Sequence, residues 1–203
     1  MVALAAALTA AAALSAQAPA AGRDLLNCEG QQAEYPFLRW LDPIPYVRVP
    51  GGDFESDAGW RLSNGARFVA GNQPWGSGSR SLYLPAGASA TSPETCVGVL
   101  ALTMRYFAAN SGSFLAPLKV EILYKTSSGQ QRSANVGSRL GGNSWSPGLL
   151  PQVYLLAHLG PLLQLQDGLA TSVQFRFTSQ SGLLGGGRWR VDDVYVDPWL
   201  SGV

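Results

Sequence analysis

Trp189-Arg190-Val191-Asp192-Asp193-Val194-Tyr195-Val196-Asp197, near the C-terminal end, answers an early stretch, Gly51-Gly52-Asp53-Phe54-Glu55, followed by Trp60. Large apolar residues alternate with polar ones in the late stretch, the period of two that marks a strand with two different faces. Together the two stretches look like the two ends of a two-sheet antiparallel β-sandwich.

Between these ends the composition fits the same class. Charged residues make up 13% of the chain, against roughly a quarter in an average globular protein. With 24 glycines and 13 prolines among 203 residues, the chain is built from turns and short strands rather than long helices. A net charge of +1 with scattered basic residues offers no stripe for a phosphate backbone, so nucleic acid is not expected as a partner.

Residues 2–21 form an Ala- and Leu-rich apolar run that ends in small residues, Ser15-Ala16-Gln17-Ala18 and Pro19-Ala20-Ala21-Gly22. We read residues 1–21 as a signal peptide cut between Ala18 and Ala21; a membrane-anchoring helix is the other reading, for which an Ala-rich stretch is a weak span. No Lys or Arg precedes Arg23, which leads us to expect a start upstream of Met1. Asn27 directly before Cys28, with Arg23-Asp24 upstream, argues against a lipoprotein, and no later segment is long and apolar enough to span a membrane. The expected location is extracellular or at the cell surface.

An exported chain with two cysteines, Cys28 and Cys96, is expected to join them. The bond would close a loop of roughly 70 residues, worth about 4 kcal/mol in the chain-entropy account. Two buried thiols are the other reading. Two cysteines and one histidine, His158, do not make a zinc site.

Residues 22–50 read as an arm. Pro36, Pro43, Pro45 and Pro50 stand among Tyr35, Phe37, Trp40 and Tyr46, which excludes regular helix and predicts an extended segment lying on the sandwich. Residues 51–199 are the sandwich itself, with strands expected over 67–70, 81–84, 97–107, 118–124, 132–136, 152–157, 171–178 and 188–196. Leu118, Val120, Ile122 and Tyr124 alternate with Lys119, Glu121 and Lys125, and Val173, Phe175 and Phe177 with Gln174, Arg176 and Thr178. The run 97–107 is apolar on both faces, so we place it centrally, its outer side covered by the arm or a loop. Ser127-Ser128-Gly129 is a hairpin turn. Residues 149–168 are read as a strand followed by a loop.

Gly52-Asp53-Phe54-Glu55 with Trp60, and Trp189-Arg190-Val191-Asp192-Asp193-Val194, resemble the edges of carbohydrate-binding modules with the galactose-binding-like jelly-roll fold. Over its length the chain also resembles uncharacterised secreted bacterial proteins that share Pro36-Phe37-Leu38 with Trp40 and Asp42, Val49-Pro50-Gly51-Gly52-Asp53-Phe54-Glu55, and Ser89-Ala90-Thr91-Ser92-Pro93 before Cys96. The resemblance to the modules implies a structural calcium ion between the first and last strands, held by Glu55 and Asp192 with backbone carbonyls. On an alternating strand Asp192 and Asp193 point to opposite faces, so only Asp192 reaches that site. The other reading has Asp192 accepting loop amides, or pairing with Arg190 or Arg61, with no metal.

A sugar site needs aromatic faces beside hydrogen-bonding groups. Trp75 with Asn72, and Trp145 with Asn143, are the candidates, both in polar loops; the alternative is that each tryptophan plugs one end of the sandwich. Trp60 and Trp189 fit the core, and Trp199 the C-terminal exit. Enzymatic residues are not apparent. His158 lies in an apolar stretch without an acid, Ser92 and Ser181 lack a nucleophile elbow, and no spacing among Glu55, Glu94 and Glu121 proposes a carboxylate pair. The sequence therefore points to a non-catalytic module, binding either an extracellular or cell-wall polysaccharide or, as a structural or adhesive surface protein, another protein.

Overall fold

The computed structural model describes residues 31–98, 103–148 and 170–196. Its strands in chain order begin with β1 (Ala33–Glu34), β2 (Tyr46–Arg48), β3 (Arg61–Ser63), β4 (Arg67–Ala70) and β5 (Arg80–Pro85). There follow β6 (Ser89–Thr91), β7 (Thr95–Gly98), β8 (Met104–Asn110), β9 (Leu118–Lys125) and β10 (Gln131–Arg139). The last are β11 (Ser146–Pro147), β12 (Ala170–Ser179), β13 (Ser181–Gly182), β14 (Gly185–Gly186) and β15 (Arg188–Val196).

All pairings are antiparallel, and both large sheets share one plan. In the first sheet β15 is the spine. Its one side takes β8, from Trp189↔Asn110 to Val196↔Met104. Its other side is divided end to end between β5, at residues 188–191, and β2, at Tyr195 and Val196. In the second sheet β12 is the spine, with β9 on one side and β7 and β6 end to end on the other. β4, β1 and β11 extend the first sheet, and β10 and β3 the second.

The two sheets form a jelly-roll β-sandwich, and alternation fills the space between them. Leu82, Leu84, Tyr106, Trp189, Val191 and Val194 from the first sheet meet Leu118, Val120, Ile122, Val173, Phe175 and Phe177 from the second. Each such side chain contributes ~1.5–3 kcal/mol when fully buried. Trp189 satisfies its indole N–H on the Ala116 carbonyl at 3.0 Å, and Trp60 its own on Pro50 at 3.2 Å, so both hold the core places expected of them.

The early and late signature stretches do meet. Val49 N donates to the Val194 carbonyl at 2.9 Å, and Val194 N to that of Gly52 at 3.0 Å. A Cβ at Gly52 would stand 2.8 Å from the Val194 carbonyl oxygen, so only glycine lets the turn come this close.

Three expectations change. The run 97–107 is two strands, not one: β7 lies in the second sheet and β8 in the first. Its apolar residues serve one core from opposite sides, through Val97 below and Met104, Tyr106 and Ala108 above. The outer side of β8 is covered by the arm, as expected. The arm itself is not wholly extended: β1 and β2 join the first sheet, and a turn of 3-10 helix forms at Leu38–Trp40, between Pro36 and Pro43 where the chain is free of proline. Finally, β15 bulges between Asp192 and Tyr195, with Asp193 at φ 46°, so the strict alternation that would separate the two aspartates is broken. The hairpin expected at Ser127-Ser128-Gly129 does form between β9 and β10, with Gly129 at φ 79°. Cys28, His158, Trp199 and the strand expected over 152–157 lie outside the described residues.

Candidate functional site: a tryptophan loop held by carboxylates

The bulge in β15 occurs where β5 ends and β2 begins, and this interruption leaves a space in the first sheet. Residues 71–79, the loop between β4 and β5, send Gln73 into it. Gln73 is 2% exposed. Its main-chain N–H donates to Asp192 Oδ2 at 2.9 Å and its side-chain Nε2 to Asp193 Oδ2 at 2.7 Å. Both aspartates therefore reach one partner, because the left-handed backbone at Asp193 turns its side chain back towards its neighbour's. The remaining Gln73 oxygen accepts the Trp75 N–H at 2.7 Å. One buried side chain thus fixes the next aromatic residue of the loop.

The other end of the loop rests on Glu55. Its Oε1 accepts the main-chain N–H groups of Ser79 and Arg80, each at 2.7 Å, and its Oε2 the Ser79 hydroxyl at 2.7 Å. These bonds, the Ser79 N–H foremost, hold the Glu55 carboxyl below its ordinary range. Asp192 goes the other way. At 2% exposure its carboxyl is pushed up to about 8 by burial, although the N–H groups of Gln73 and Asp193 favour the ionised form. Burial likewise raises Asp193, against the pull of Gln73 and of Arg48, whose Nε lies 3.6 Å from Asp193 Oδ1.

Trp75 stands on an aromatic cluster on the outer face of the first sheet. Its ring is 4.8 Å from that of Trp40, edge to face, and 5.6 Å from that of Phe107. Phe37, Tyr46, Phe107 and Tyr195 form the buried floor, with Trp40 and Trp145 packed on it. The Arg39 guanidinium lies 5.3 Å from the Trp40 centroid and 5.5 Å from that of Trp75. Trp75 remains 39% exposed.

Trp145 is half-buried against the same cluster, with the Arg190 guanidinium 5.7 Å from its ring centroid. Arg190 also donates to the carbonyls of Ala70 and Gly71, so it links Trp145 to the base of the Trp75 loop. The structure therefore places both tryptophans on one face, but only Trp75 presents an open surface. Asn72 sits within the loop beside Glu55 and Gly78, and Asn143 is exposed ahead of Trp145. Three contributors to the ledge were not anticipated. Gln73, a single amide in a loop, carries no sequence signal; Trp40 and Arg39 stand in a Pro-rich arm whose fold side of approach the sequence does not specify.

Glu55 and Asp192 grip one loop, which is the convergence a calcium site would use. Their oxygens, however, already accept five N–H or O–H donors between them. Two carboxylates also fall short of the six to eight oxygens that calcium takes, and no group of three or more His, Cys, Asp or Glu forms a metal cluster among the described residues. The fit is partial. Asp192 pairs with neither Arg190 nor Arg61: Arg190 serves the loop carbonyls, and Arg61 donates to Gln174 Oε1 at 3.2 Å. Ser92 is a structural bridge, accepting the Phe175 N–H at 2.9 Å and donating to the Pro93 carbonyl at 2.8 Å.

No protein-family model and no curated protein matches the chain. Among its structural neighbours are carbohydrate-binding modules. The C-terminal family 22 module of Clostridium thermocellum xylanase 10B is 16% identical over 75% of this chain and 94% of its own, with a TM-score of 0.47. The N-terminal part of the same bacterium's xylanase 10B, a family 22 module with its catalytic module, complexed with xylohexaose, is 14% identical over 71% of this chain, which spans 27% of it, with a TM-score of 0.47. A family 61 module in complex with β-1,4-galactotriose is 13% identical over 75% of this chain and 97% of its own, at 0.43. No helix among the described residues is long and apolar enough to cross a membrane.

Proposed function

We propose that the protein is an exported, non-catalytic module that binds an extracellular or cell-wall carbohydrate on the ledge around Trp75. The observation that carries this reading is a large aromatic ring left open to solvent on a rigid, buried polar support. Trp75 packs on Trp40 and Phe107 and still keeps 39% of its surface open. Here Gln73, held by two carboxylates, fixes the backbone beneath the ring. An indole so placed offers its face to pyranose C–H groups, while Arg39 and Asn72 supply hydrogen bonds to hydroxyls. Trp145 and Asn143 form the far side of the same surface, joined to it through Arg190.

Retention of the full chain on insoluble polysaccharides and cell walls tests the reading. One polysaccharide should hold the wild type and release Trp75→Ala, with Trp145→Ala giving the smaller loss. Retention on none of them, or equal retention of the Trp75→Ala variant, would overturn it.

A second reading, protein adhesion, is favoured by the exposed apolar side chains Tyr35, Leu38, Leu41 and Ile44 on the arm. They would dock on an apolar partner surface. Leu41→Glu should abolish such docking and leave polysaccharide retention unchanged.

Export is supported by the apolar leader and by the cysteines. Cys96 lies on β7 and is not a free thiol, and we propose Cys28 as its partner. Calcium at Glu55 and Asp192 is also retained as a proposal. A divalent cation would keep the buried Asp192 ionised, so calcium should raise the melting temperature above that in chelator, as any ligand of the native state must; no rise would end it.

A further inference from the structure

The opposite face of the sandwich carries a second feature that the ledge does not use. Across the outer side of the second sheet, cross-strand register sets Arg61, Thr91, Arg176, Glu121 and Asn135 in one row. Beside this row lies an open groove of about 510 Å³, lined by Arg61, Arg132, Arg176, Ser89, Thr91 and Gln131 among others. Neighbouring strands stand ~4.8 Å apart, so Arg61 on β3 and Arg176 on β12, two strands over, are about 10 Å apart at their backbones. Arg132 lies a further two strands across, on β10, but opposite Tyr124 and three residues along from Asn135, so it is out of the row and lines the groove from the edge of the sheet. The sequence hides this convergence because the three arginines come from distant segments; the strand order β3, β6, β12, β9, β10 collects them.

Their charge is largely unanswered. Arg61 donates to the neutral amide of Gln174 at 3.2 Å, and Arg132 to that of Gln130 at 2.9 Å. Arg176 lies 3.9 Å from Glu121, but that carboxylate is already paired with Lys119 at 2.9 Å. Among the described residues, Arg61, Arg132, Arg176 and Lys119 thus have one carboxylate, Glu121, within ion-pair reach of any of them. Guanidinium forks pair with carboxylates through two parallel hydrogen bonds, and Ser89, Thr91, Ser133 and Gln131, which line the groove with Leu123, offer partners to sugar hydroxyls. Among the described residues, the groove lining contains no aromatic ring on which a base would stack.

We infer that this groove binds an acidic polysaccharide, a chain of uronic acid residues whose carboxylates seat on Arg61, Arg132 and Arg176. The Arg61–Arg176 spacing of about 10 Å is the reach of about two linked sugar rings, so alternate residues of such a chain can place their carboxylates on these two arginines, with Arg132 meeting the chain farther along the groove. The site is separate from the ledge of Trp75 and stands or falls without it.

Affinity electrophoresis of the full chain in gels containing polygalacturonate tests the inference. At about 0.01 M salt, where charges act over ~30 Å, polygalacturonate should retard the wild type, and its fully methyl-esterified form should not. The Arg61→Gln, Arg132→Gln, Arg176→Gln triple variant should bind at least about tenfold more weakly, as should the wild type in about 1 M salt, where the screening length is ~3 Å. Ser133→Glu, an exposed position in the groove, should weaken binding severalfold without removing any of the arginines. Trp75→Ala should bind as the wild type does. The inference is overturned by absence of retardation at low salt, by a folded triple variant that binds undiminished, or by single-stranded DNA binding as tightly as polygalacturonate. Loss in Trp75→Ala together with retention in the triple variant would assign the acidic ligand to the ledge instead.

Discussion

The two outer faces of this sandwich are built on the same plan and finished in opposite ways. The first sheet's outer face is sealed: Tyr46, Phe107 and Tyr195 point outward, the arm lays Phe37 and Trp40 over them, and the polar residues beneath are engaged by Gln73, Arg48 and Arg190. The second sheet's outer face carries an open polar groove lined by arginines, with Arg61 and Arg176 in register through Thr91. A shared plan of spine and flanking strands does not decide what a face does; the side chains placed on the outward half of the alternation do. On the sealed face, function is left to a single ring that emerges from the packing. On the bare face it is left to a row of charge.

The difference can be broken first by substitution. Phe107→Ala removes the centre of the outer cluster and should cost ~3–5 kcal/mol of stability, read from denaturant midpoints. If its cost is within that of a surface change, the face is not sealed. Cys28→Ser should cost ~2–4 kcal/mol if the proposed bond to Cys96 forms; an unchanged melting temperature would remove it. Gln73→Ala should cost ~1–3 kcal/mol, because the buried Asp193 loses its side-chain donor and the Trp75 N–H its acceptor while the main-chain bond to Asp192 remains, and should free the Trp75 loop, seen as faster amide exchange over residues 71–79. Arg132→Gln, on the bare face, should change stability by no more than ~0.5 kcal/mol.

Acidity sharpens the same contrast. Burial holds Asp192 up to about 8 in the folded chain against 3.8 in the ordinary carboxyl. Between about pH 4 and pH 8 the folded state therefore binds a proton that the unfolded state has released, so stability falls as pH rises through this window and levels off above it. Glu55, held below its ordinary range, acts only at the acid end, where its contribution is lost as pH falls. Melting temperatures measured from pH 5 to pH 8.5 in chelator should fall, and Asp192→Asn should flatten the slope. A flat wild-type profile would show that Asp192 stays ionised.

Much of the fold was legible because alternation is local. β4 and β15 fall where the pattern placed them, and Leu118, Val120 and Ile122 face the core beside Val173, Phe175 and Phe177 of the neighbouring strand. The division of 97–107 was not legible, since a run that is apolar on both faces reads the same whether one strand or two supply it. The meeting of Gly52 with Val194 followed from the two signature stretches, but the bulge at Asp193 did not, because nothing in Asp192-Asp193 announces a left-handed residue. That one backbone angle brings both aspartates onto Gln73 and so sets Trp75. The basic row was hidden for a different reason. Arg61, Arg132 and Arg176 become neighbours only through long-range pairing, and composition alone had made the charge look scattered.

The most direct test is a paired binding measurement: isotherms of the wild type, Trp75→Ala and the triple arginine variant against the retained insoluble polysaccharide and against polygalacturonate. Two independent faces predict a crossed result, with Trp75→Ala losing the first ligand alone and the arginine variant losing the second alone. Loss of both ligands in either folded variant would contradict the account and reduce the two faces to one site.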